Sequence, residues 1–374
     1  MKSFVVDSVL KSEDICNLEK DFKSLTDFAL NGDHIVFYGR RNMGKTSLIL
    51  AKVIPEFIAK KQNPIVLFVD FLGVQNESEV YNRLKFALEQ GLSKAFPTLS
   101  KLKNIARNII GLRPTIEMDA LTGNLALSLS TKTKSTDDLH VIFSEIKRLT
   151  KSNSVFIVFD EFQDIVQIKG MDAKIRGEMQ MLPARIPTII MGSKKHLLAQ
   201  LFSLASAPLA GWGRDYEIST ITPEEFTPYL NLRFKPFQKK IALDQTAYLC
   251  KIMDFIPEAI INVCITLCKL EKVRTITNKD IDLAVAETID SHRGRFEESL
   301  QMFTKAERVF ICELARLQPV KTPSGKEFIH ATKLSSAGLI KVAKRLEDLA
   351  ILYRSKEGLS LSDPLLSGYI RKYW

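Results

Sequence analysis

Short apolar runs rich in β-branched and aromatic residues alternate with stretches of helical periodicity in the first half of the chain. These runs lie at 34–38, 65–69, 155–159 and 188–191. Near-continuous apolar runs of this length are typical of parallel strands that helices cover on both faces. The pattern therefore predicts an α/β fold built on a parallel sheet.

An insertion between the second and third runs, at about 98–135, has a different pattern. Polarity alternates at 115–118 and at 125–129, and residues 122–124 between them favour a turn. We therefore predict a β-hairpin that stands off the core. Two roles are open for it: decoration of the fold, or a contact surface for another subunit or partner.

The chain then has helical periodicity up to about position 300, and a small separate unit follows. In this unit, helices at 304–317 and 336–349 precede two short strands that a turn at 356–358 joins. Helices followed by a two-stranded wing are the pattern of a winged helix. We predict three domains, which are a core at 1–221, a helical domain at 222–301 and a winged helix at 302–374.

The composition is that of a soluble globular protein, with 45% hydrophobic and 26% charged residues among 374. No apolar run approaches the roughly 20 residues that a membrane-spanning helix needs. The first residues also lack the apolar core of a secretory signal. We therefore expect a cytoplasmic protein without membrane contact.

Two of the five cysteines, Cys264 and Cys268, share one face of a predicted helix. They suit half of a metal site, a redox pair, or small side chains in an apolar helix interface. The interface is favoured because no second Cys/His pair lies nearby in the sequence.

The first apolar run leads into a glycine-rich loop, and helical periodicity follows it. The residues of this stretch are Gly39, Arg40, Arg41, Asn42, Met43, Gly44, Lys45, Thr46 and Ser47. A strand, such a loop and a helix in succession are the context of a phosphate-binding P-loop, whose glycines let backbone N–H groups face the phosphates. In such loops Lys45 reaches the β- and γ-phosphates, Thr46 coordinates Mg²⁺, and Ser47 is placed to bond the α-phosphate. These nine residues are the predicted site for ATP and magnesium.

The third apolar run ends in two acidic residues, Asp160 and Glu161. A buried strand that ends in this way delivers both carboxylates to the edge of a parallel sheet where ligands bind. We predict that Asp160 holds Mg²⁺ through water and that Glu161 orients or deprotonates the attacking water. The alternative is an ordinary polar strand end, which the preceding P-loop disfavours. The absence of an Asn-Lys-x-Asp motif from the sequence favours an ATPase over a GTPase switch.

Two further residues are candidates for the catalytic site. Ser193 follows the fourth run, where a polar residue can sense the γ-phosphate, and a surface turn explains it equally well. Arg214 can neutralise transition-state charge in cis or in trans, and the alternative is an ordinary surface arginine.

With these motifs, the sequence resembles the AAA+-related STAND ATPases, and most closely the archaeal-type ATPase family. Three stretches carry the resemblance: 37–47, the Asp-Glu-Phe-Gln segment at 160–163, and the Leu-Ser-Asp-Pro-Leu-Leu segment at 361–366. The resemblance implies an ATPase core, a helical lid at 222–301 and a C-terminal winged helix, with ATP acting as a conformational switch.

The chain departs from the family pattern at two places. The segment at 4–10 lacks the arginine that the family usually carries near the base pocket. The lid keeps only the proline of the family's Gly-x-Pro, so the resemblance implies that Pro257 contacts the base. A simple helix breaker is the alternative for this proline.

The charge distribution indicates an acidic partner for the C-terminal unit. The net charge is +10, and residues 302–374 hold 13 Lys and Arg against 7 Asp and Glu. Nucleic acid is the first candidate, and a solvated basic surface is the alternative. If the winged helix binds double-stranded DNA, its 336–349 helix enters the major groove with Lys341, Lys344 and Arg345 on the free face. Winged helices also dock onto proteins.

The sequence is therefore consistent with three hypotheses of function. The first is an ATP-hydrolysing switch that couples nucleotide state to a partner through the lid and the winged helix. The second is a nucleotide-dependent DNA-binding regulator or origin-type loader. The third is a homo-oligomer that ATP assembles as a defence or scaffold protein.

Overall fold

The computed structural model describes residues 4–6, 9–107, 109, 111–118, 125–131, 138–202, 209–271 and 273–374. These residues form two compact units. The sheet unit contains the described residues of 19–39 and 48–218, and the helical unit those of 1–18, 40–47 and 219–374. The domain boundaries at 221 and 301 stay a prediction.

The sheet unit contains the predicted parallel sheet, which is confirmed. Its strands are β1 (His34–Tyr38), β2 (Pro64–Asp70), β5 (Ser154–Asp160), β6 (Thr188–Gly192) and β7 (Arg214–Glu217), in the spatial order β2-β5-β6-β1-β7. All neighbouring strands are parallel. Their carboxyl ends therefore share one edge, where Tyr38 pairs with Gly192 and Asp70 pairs with Asp160.

Helices cover both faces of this sheet. Successive residues of a strand face opposite sides, and β5 shows the consequence with two aromatic residues. Phe156 packs against Phe57 of a helix, with ring centroids 5.0 Å apart, whereas Phe159 stacks on Phe162 at 5.6 Å. The helices before β7 are α1 (Glu19–Asn31), α2 (Lys45–Leu48), α3 (Ile54–Lys60), α4 (Glu77–Ala95), α5 (Leu99–Arg107), α6 (Asp138–Leu149), α7 (Met171–Gln180) and α8 (Lys195–Phe202). A π-helical turn at Ile49–Val53 joins α2 to α3.

The insertion contains two antiparallel strands, β3 (Leu112–Met118) and β4 (Leu125–Thr131). The expected turn at 122–124 lies outside the described residues. The strands do not stand off the core, which corrects the prediction. The backbone N–H groups of Leu127 and Leu129 donate to Ser93 Oγ and Glu89 Oε1 of α4, at 3.0 and 2.6 Å. The apolar side of the alternating pattern is buried by this packing, because both leucines are almost fully covered.

The helical unit contains the segment predicted as the lid. Its helices are α9 (Pro223–Phe234), α10 (Leu243–Ile252), α11 (Pro257–Lys269), α12 (Asn278–Ser291) and α13 (Arg293–Gln301). Thr222 and Thr277 begin α9 and α12 with reciprocal capping boxes, each satisfying backbone N–H groups that a helix start leaves unpaired. In the part of the chain that the structure describes, no helix is long and apolar enough to cross a membrane.

The C-terminal part of the helical unit has the order of a winged helix. Its elements are α14 (Lys305–Leu317), α15 (Lys326–Thr332), α16 (Ser336–Asp348), β8 (Leu352–Arg354), β9 (Leu359–Leu361) and α17 (Pro364–Tyr373). β8 and β9 pair antiparallel as the wing. α16 buries Leu339, Ala343 and Leu346, whereas Leu349, the residue after the end of the helix, is exposed.

The two cysteines of α11 have the environment of an apolar interface. Cys264 is fully buried, and burial raises the pKa of its thiol well above the ordinary value. Burial also raises the pKa of Cys268, to about 11. Protonated thiols are poor nucleophiles and poor metal ligands. Among the described residues, no group of three or more His, Cys, Asp or Glu is placed to hold a metal ion.

Candidate nucleotide-binding site

The glycine-rich loop follows β1 and leads into the helical stretch that begins at Lys45. Within the loop, Asn42 has φ +64° and Gly44 has φ +86°. Left-handed residues in a loop turn neighbouring N–H groups toward a common concave side, which is how backbone nests bind anions. Glycine adopts this conformation without steric cost, and asparagine tolerates it better than most residues. The loop backbone therefore fits a phosphate group.

Two side chains of the loop are held by backbone groups. Lys45 is 6% exposed, and its Nζ donates to the backbone oxygen of Arg40 at 2.9 Å. Ser47 Oγ accepts a hydrogen bond from the backbone N–H of Leu10 at 3.1 Å, and its own hydroxyl hydrogen remains a donor. The N-terminal segment thus contacts the loop through a main-chain group. Met43 is buried, whereas Arg41 and Asn42 are exposed.

Arg40 makes a cluster of contacts within the helical unit. Its Nη1 lies 2.8 Å from Asp254 Oδ2, and its guanidinium lies 3.5 Å from the ring centroid of Tyr353. Nη2 donates to the backbone oxygen of Ser362 at 3.4 Å. The Tyr353 hydroxyl donates to the same Asp254 Oδ2 at 2.6 Å. Arg40, Asp254 and Tyr353, which we call the arginine cluster, therefore join the phosphate loop to the turn before α11 and to the wing.

The pKa of Tyr353 is raised to about 12, chiefly by burial and in part by the hydrogen bond to Asp254, against the opposing charge of Arg40. The phenol is therefore protonated at neutral pH, as a donor to Asp254 must be. The Asp254 backbone has φ +50°, a conformation in which aspartate and asparagine are enriched.

The acidic pair lies at the carboxyl end of β5. Asp160 is 5% exposed and its Oδ1 accepts the N–H of Glu161 at 2.9 Å. Glu161 has φ +47° and ψ +39°, a left-handed conformation that costs a residue with a side chain about 1–3 kcal/mol. The chain leaves the strand abruptly at this residue and enters a 3₁₀ helix at Phe162–Gln167.

Glu161 is held by two neutral donors of the sheet unit. Ser193 Oγ lies 3.1 Å from Oε2 and 3.4 Å from Oε1 of Glu161. Gln163 Nε2 also donates to Oε2. The structure therefore brings the predicted Ser193 and Glu161 together. The role of Ser193 in sensing a γ-phosphate stays a prediction.

Comparison with known proteins identifies the fold. No family model and no curated protein matches the sequence. The solved structure of a Walker-type ATPase of Pyrococcus abyssi is similar at a TM-score of 0.65 and 17% identity, over 98% of this chain and 99% of that chain. The Orc2 protein of Aeropyrum pernix, solved in ADPNP–ADP complexes, is similar at a TM-score of 0.57 and 11% identity, over 98% and 96%. This chain has the fold of an AAA+ P-loop ATPase.

The AAA+ fold confirms the sequence resemblance for the architecture, from the parallel sheet to the C-terminal winged helix. Its strand order also accounts for the position of Ser193. β6 lies between β1 and β5, so Ser193 follows the strand between the one that precedes the phosphate loop and the one that ends in Asp160.

Arg214 lies at the end of the sheet where the parallel strands begin. It is the first residue of β7 and pairs with Ile35, at the amino end of β1. Ser193 and Glu161 follow the carboxyl ends of their strands. The sheet therefore separates Arg214 from them by the length of a strand, and the position does not support a cis role. A role in trans stays a prediction.

The remaining predicted residues lie in the helical unit of the AAA+ fold. Pro257 is the first residue of α11. The fixed φ of proline suits the first position of a helix, so the start of α11 is by itself a reason for a proline here. On α16, Lys341 and Lys344 are exposed. Arg345 Nε lies 2.9 Å from the buried Glu307 carboxylate, which neutralises part of the predicted basic face.

The arginine cluster was missed by sequence reasoning. Asp254 lies in the predicted lid and Ser362 in the Leu-Ser-Asp-Pro-Leu-Leu segment, but no spacing in the sequence indicates that both contact Arg40. Gln163 belongs to the Asp-Glu-Phe-Gln segment, to which the sequence assigns no role for this residue. A polar residue between apolar ones after the acidic pair is the sequence feature that marks it.

Replacing Tyr353 by Phe should reduce the loss of stability at high pH. The folded state raises the pKa of this phenol from 10.0 to about 12. The stability that this shift contributes to the folded state is therefore complete below pH 10 and is lost as the pH rises toward 12. We expect the difference in urea midpoint between the native protein and Tyr353→Phe to shrink over that interval. A difference that does not change with pH would contradict the assignment.

Proposed function

We propose that this protein binds ATP with magnesium and hydrolyses it, as an AAA+-type ATPase. The topology of the sheet unit supports the proposal. β1, which leads into the phosphate loop, and β5, which ends in Asp160, direct their carboxyl ends to one edge, where ligands bind in such folds. A phosphate-binding loop and two carboxylates are the parts that phosphoryl transfer to water requires.

In this proposal each part of the site has one task. The loop N–H groups and Lys45 bind the phosphates, and Thr46 and Asp160 supply the hard oxygen ligands that Mg²⁺ prefers. Bound magnesium neutralises charge on the phosphates. Glu161 orients the attacking water and accepts its proton. Ser193, which follows the intervening strand β6, hydrogen-bonds to the Glu161 carboxylate and senses the γ-phosphate.

We further propose that nucleotide state is passed to the winged helix, which makes the ATPase a switch of the STAND type. The observation that carries this proposal is the arginine cluster, because Arg40 belongs to the phosphate loop and Tyr353 to the wing. A change in loop conformation on phosphate binding alters the position of the Arg40 guanidinium. The contacts to Asp254, Tyr353 and Ser362 then change with it. By linkage, whatever displaces the wing also changes nucleotide affinity.

Lys45→Ala should weaken ATP binding, and Glu161→Gln should slow turnover strongly while changing ATP binding little. Loss of a charged phosphate donor costs about 3 kcal/mol, or roughly a hundredfold in Kd, which calorimetry measures. Loss of the carboxylate base should lower kcat by about 10²–10⁴, with Kd for ATP changed less than about threefold.

Two matched variants control for general effects. Lys60→Ala removes a lysine of α3 that pairs with Glu56 on the surface, and Glu178→Gln changes a carboxylate of α7 that binds His140. Both should behave as the native protein. Native ATP affinity in Lys45→Ala, or undiminished hydrolysis in Glu161→Gln, would refute the corresponding assignment.

Tyr353→Ala should uncouple the wing from the nucleotide. In the native protein, ATP should change the amide hydrogen exchange rate of residues 351–361 by at least about threefold, as expected for coupling of about 1 kcal/mol. The variant should bind ATP and lose this response, because the ring over Arg40 and the hydroxyl on Asp254 are both removed. Tyr353→Phe, which keeps the ring, should retain part of it.

Tyr373→Ala is the matched control for this experiment. Tyr373 also lies by an arginine, 5.0 Å from Arg293, and donates to an aspartate, Asp290, at 2.6 Å, yet it belongs to α17. This variant should keep the native response of the wing. An intact response in Tyr353→Ala would show that the arginine cluster does not transmit the nucleotide state.

A second candidate function is nucleotide-dependent binding of double-stranded DNA. The observation that favours it is the basic winged helix, with Lys341 and Lys344 exposed on α16. Changing both to Glu should lower DNA affinity and flatten its dependence on salt, because fewer phosphates are neutralised. Arg345→Glu should lower DNA affinity less than these changes do, since this arginine is paired with Glu307. DNA binding that these changes leave intact would exclude this face.

A further inference from the structure

Gln163 is a buried amide next to the proposed catalytic carboxylate, and the proposed function does not use it. It lies in the 3₁₀ helix after β5 and its side chain is 0% exposed. Its neighbours Phe162 and Ile165 belong to the apolar core of the sheet unit. A residue with four hydrogen-bonding positions is costly at such a place unless these positions are used.

One end of the amide binds Glu161. Gln163 Nε2 donates to Oε2 of the Glu161 carboxylate and lies 3.4 Å from Asp164 Oδ1. Asp164 is itself fixed, because Oδ1 lies 3.0 Å from Lys194 Nζ and Oδ2 accepts the N–H of Gly73 at 3.0 Å. The amide nitrogen therefore lies between a carboxylate that the proposed chemistry uses and one that is anchored on both oxygens.

The other end of the amide lies against Gly192. A Cβ atom at position 192 would lie 1.9 Å from Gln163 Oε1 and 3.0 Å from a methyl group of Leu198. Gly192 does not have a positive φ, so its backbone conformation does not require glycine. The last residue of β6 is thus a glycine because the Gln163 amide occupies the space of a side chain.

The buried Oε1 atom argues against a purely structural role. Within the described part of the chain it has no hydrogen-bond partner. A buried acceptor without a partner destabilises a core, and an apolar side chain of similar volume would avoid the loss. The amide is therefore accounted for by its Nε2 contact with Glu161 rather than by packing.

We infer that Gln163 is a positioning residue that fixes the Glu161 carboxylate for its reaction with water, and that Gly192 provides the space for it. The inference rests on the proposed ATP hydrolysis. Oε2 of Glu161 accepts from Gln163 and lies 3.1 Å from Ser193, whereas among the described residues Oε1 has only the 3.4 Å contact with Ser193. Oε1 is the oxygen with free acceptor capacity for water.

The assignment defines the proton transfer in the proposed reaction. The water oxygen bonds to the γ-phosphorus, its proton passes to Oε1 of Glu161, and the bridging oxygen leaves with ADP. Gln163 and Ser193 stay hydrogen-bonded to the carboxylate during this step. Without Gln163 the carboxylate gains rotational freedom, and a smaller fraction of the molecules has Oε1 directed at the water.

Gln163→Met tests the inference because it keeps the length of the side chain and removes both amide atoms. We expect kcat for ATP hydrolysis to fall by about 10–100-fold, as for loss of one positioning contact. The Kd for ATP should stay within about twofold, and the melting temperature should stay equal or rise, because a buried acceptor without a partner is removed. Gln167→Met, at an exposed position of the same 3₁₀ helix, is the control and should leave all three quantities unchanged.

Gly192→Ala and the double variant Gly192→Ala/Gln163→Ala distinguish an effect on the positioning of Glu161 from an effect on the stability of the protein. Gly192→Ala alone should lower both the melting temperature and kcat, because the new methyl group displaces the amide. Gly192→Ala/Gln163→Ala should recover the melting temperature but keep the low kcat of a protein without the amide. Recovery of kcat in the double variant would overturn the inference.

The outcomes also separate this inference from the proposed function. Native kcat in Gln163→Met, with Glu161→Gln inactive, would refute the role of Gln163 and leave the ATPase proposal standing. Hydrolysis that is absent from the native protein, or that survives Glu161→Gln, would refute the proposed function and this inference with it.

Discussion

The parallel direction of β1, β5 and β6 is the constraint on which the candidate site depends. Parallel strands end at one edge, so the polar residues that follow β5 and β6 lie close together there. The interior of each strand is free to be apolar, as the fully buried β6 illustrates. Local sequence decides the chemistry only at the strand ends, and strand order decides which ends are neighbours.

At that edge, three residues have features that are unfavourable for stability and that orient one carboxylate. Glu161 leaves the strand in a left-handed conformation, Gln163 has a buried oxygen without a partner among the described residues, and Gly192 lacks a side chain. Each feature costs stability when taken alone. Together they fix one carboxylate, which is the arrangement expected where strained residues serve a reaction rather than the fold.

The sequence was informative where function depends on neighbouring residues along the chain. The predicted phosphate-binding loop and the acidic pair each combine strand, turn and polar residues within about ten positions, so periodicity and residue type were sufficient to propose them. Their roles stay predictions. Arg214 shows the limit, because the sequence did not indicate whether it begins or ends its short strand, and these two positions lie at opposite edges of the sheet. The hairpin was predicted as two strands, but it packs on α4 through hydrogen bonds that Ser93 and Glu89 accept and that no local pattern indicates.

The arginine cluster could not be predicted because its members are far apart in the sequence. Arg40 is separated from Asp254 by 214 positions and from Ser362 by 322. Its energetics differ from those of the buried network around Glu161. Asp254 is 44% exposed, and ion pairs of such exposure contribute only about 0–1 kcal/mol. A contact of this strength is easily displaced when the phosphate loop moves or when a partner binds the wing. A strong buried pair would hold the wing permanently, so the weakness of the Arg40 contacts is what suits them to the proposed switch.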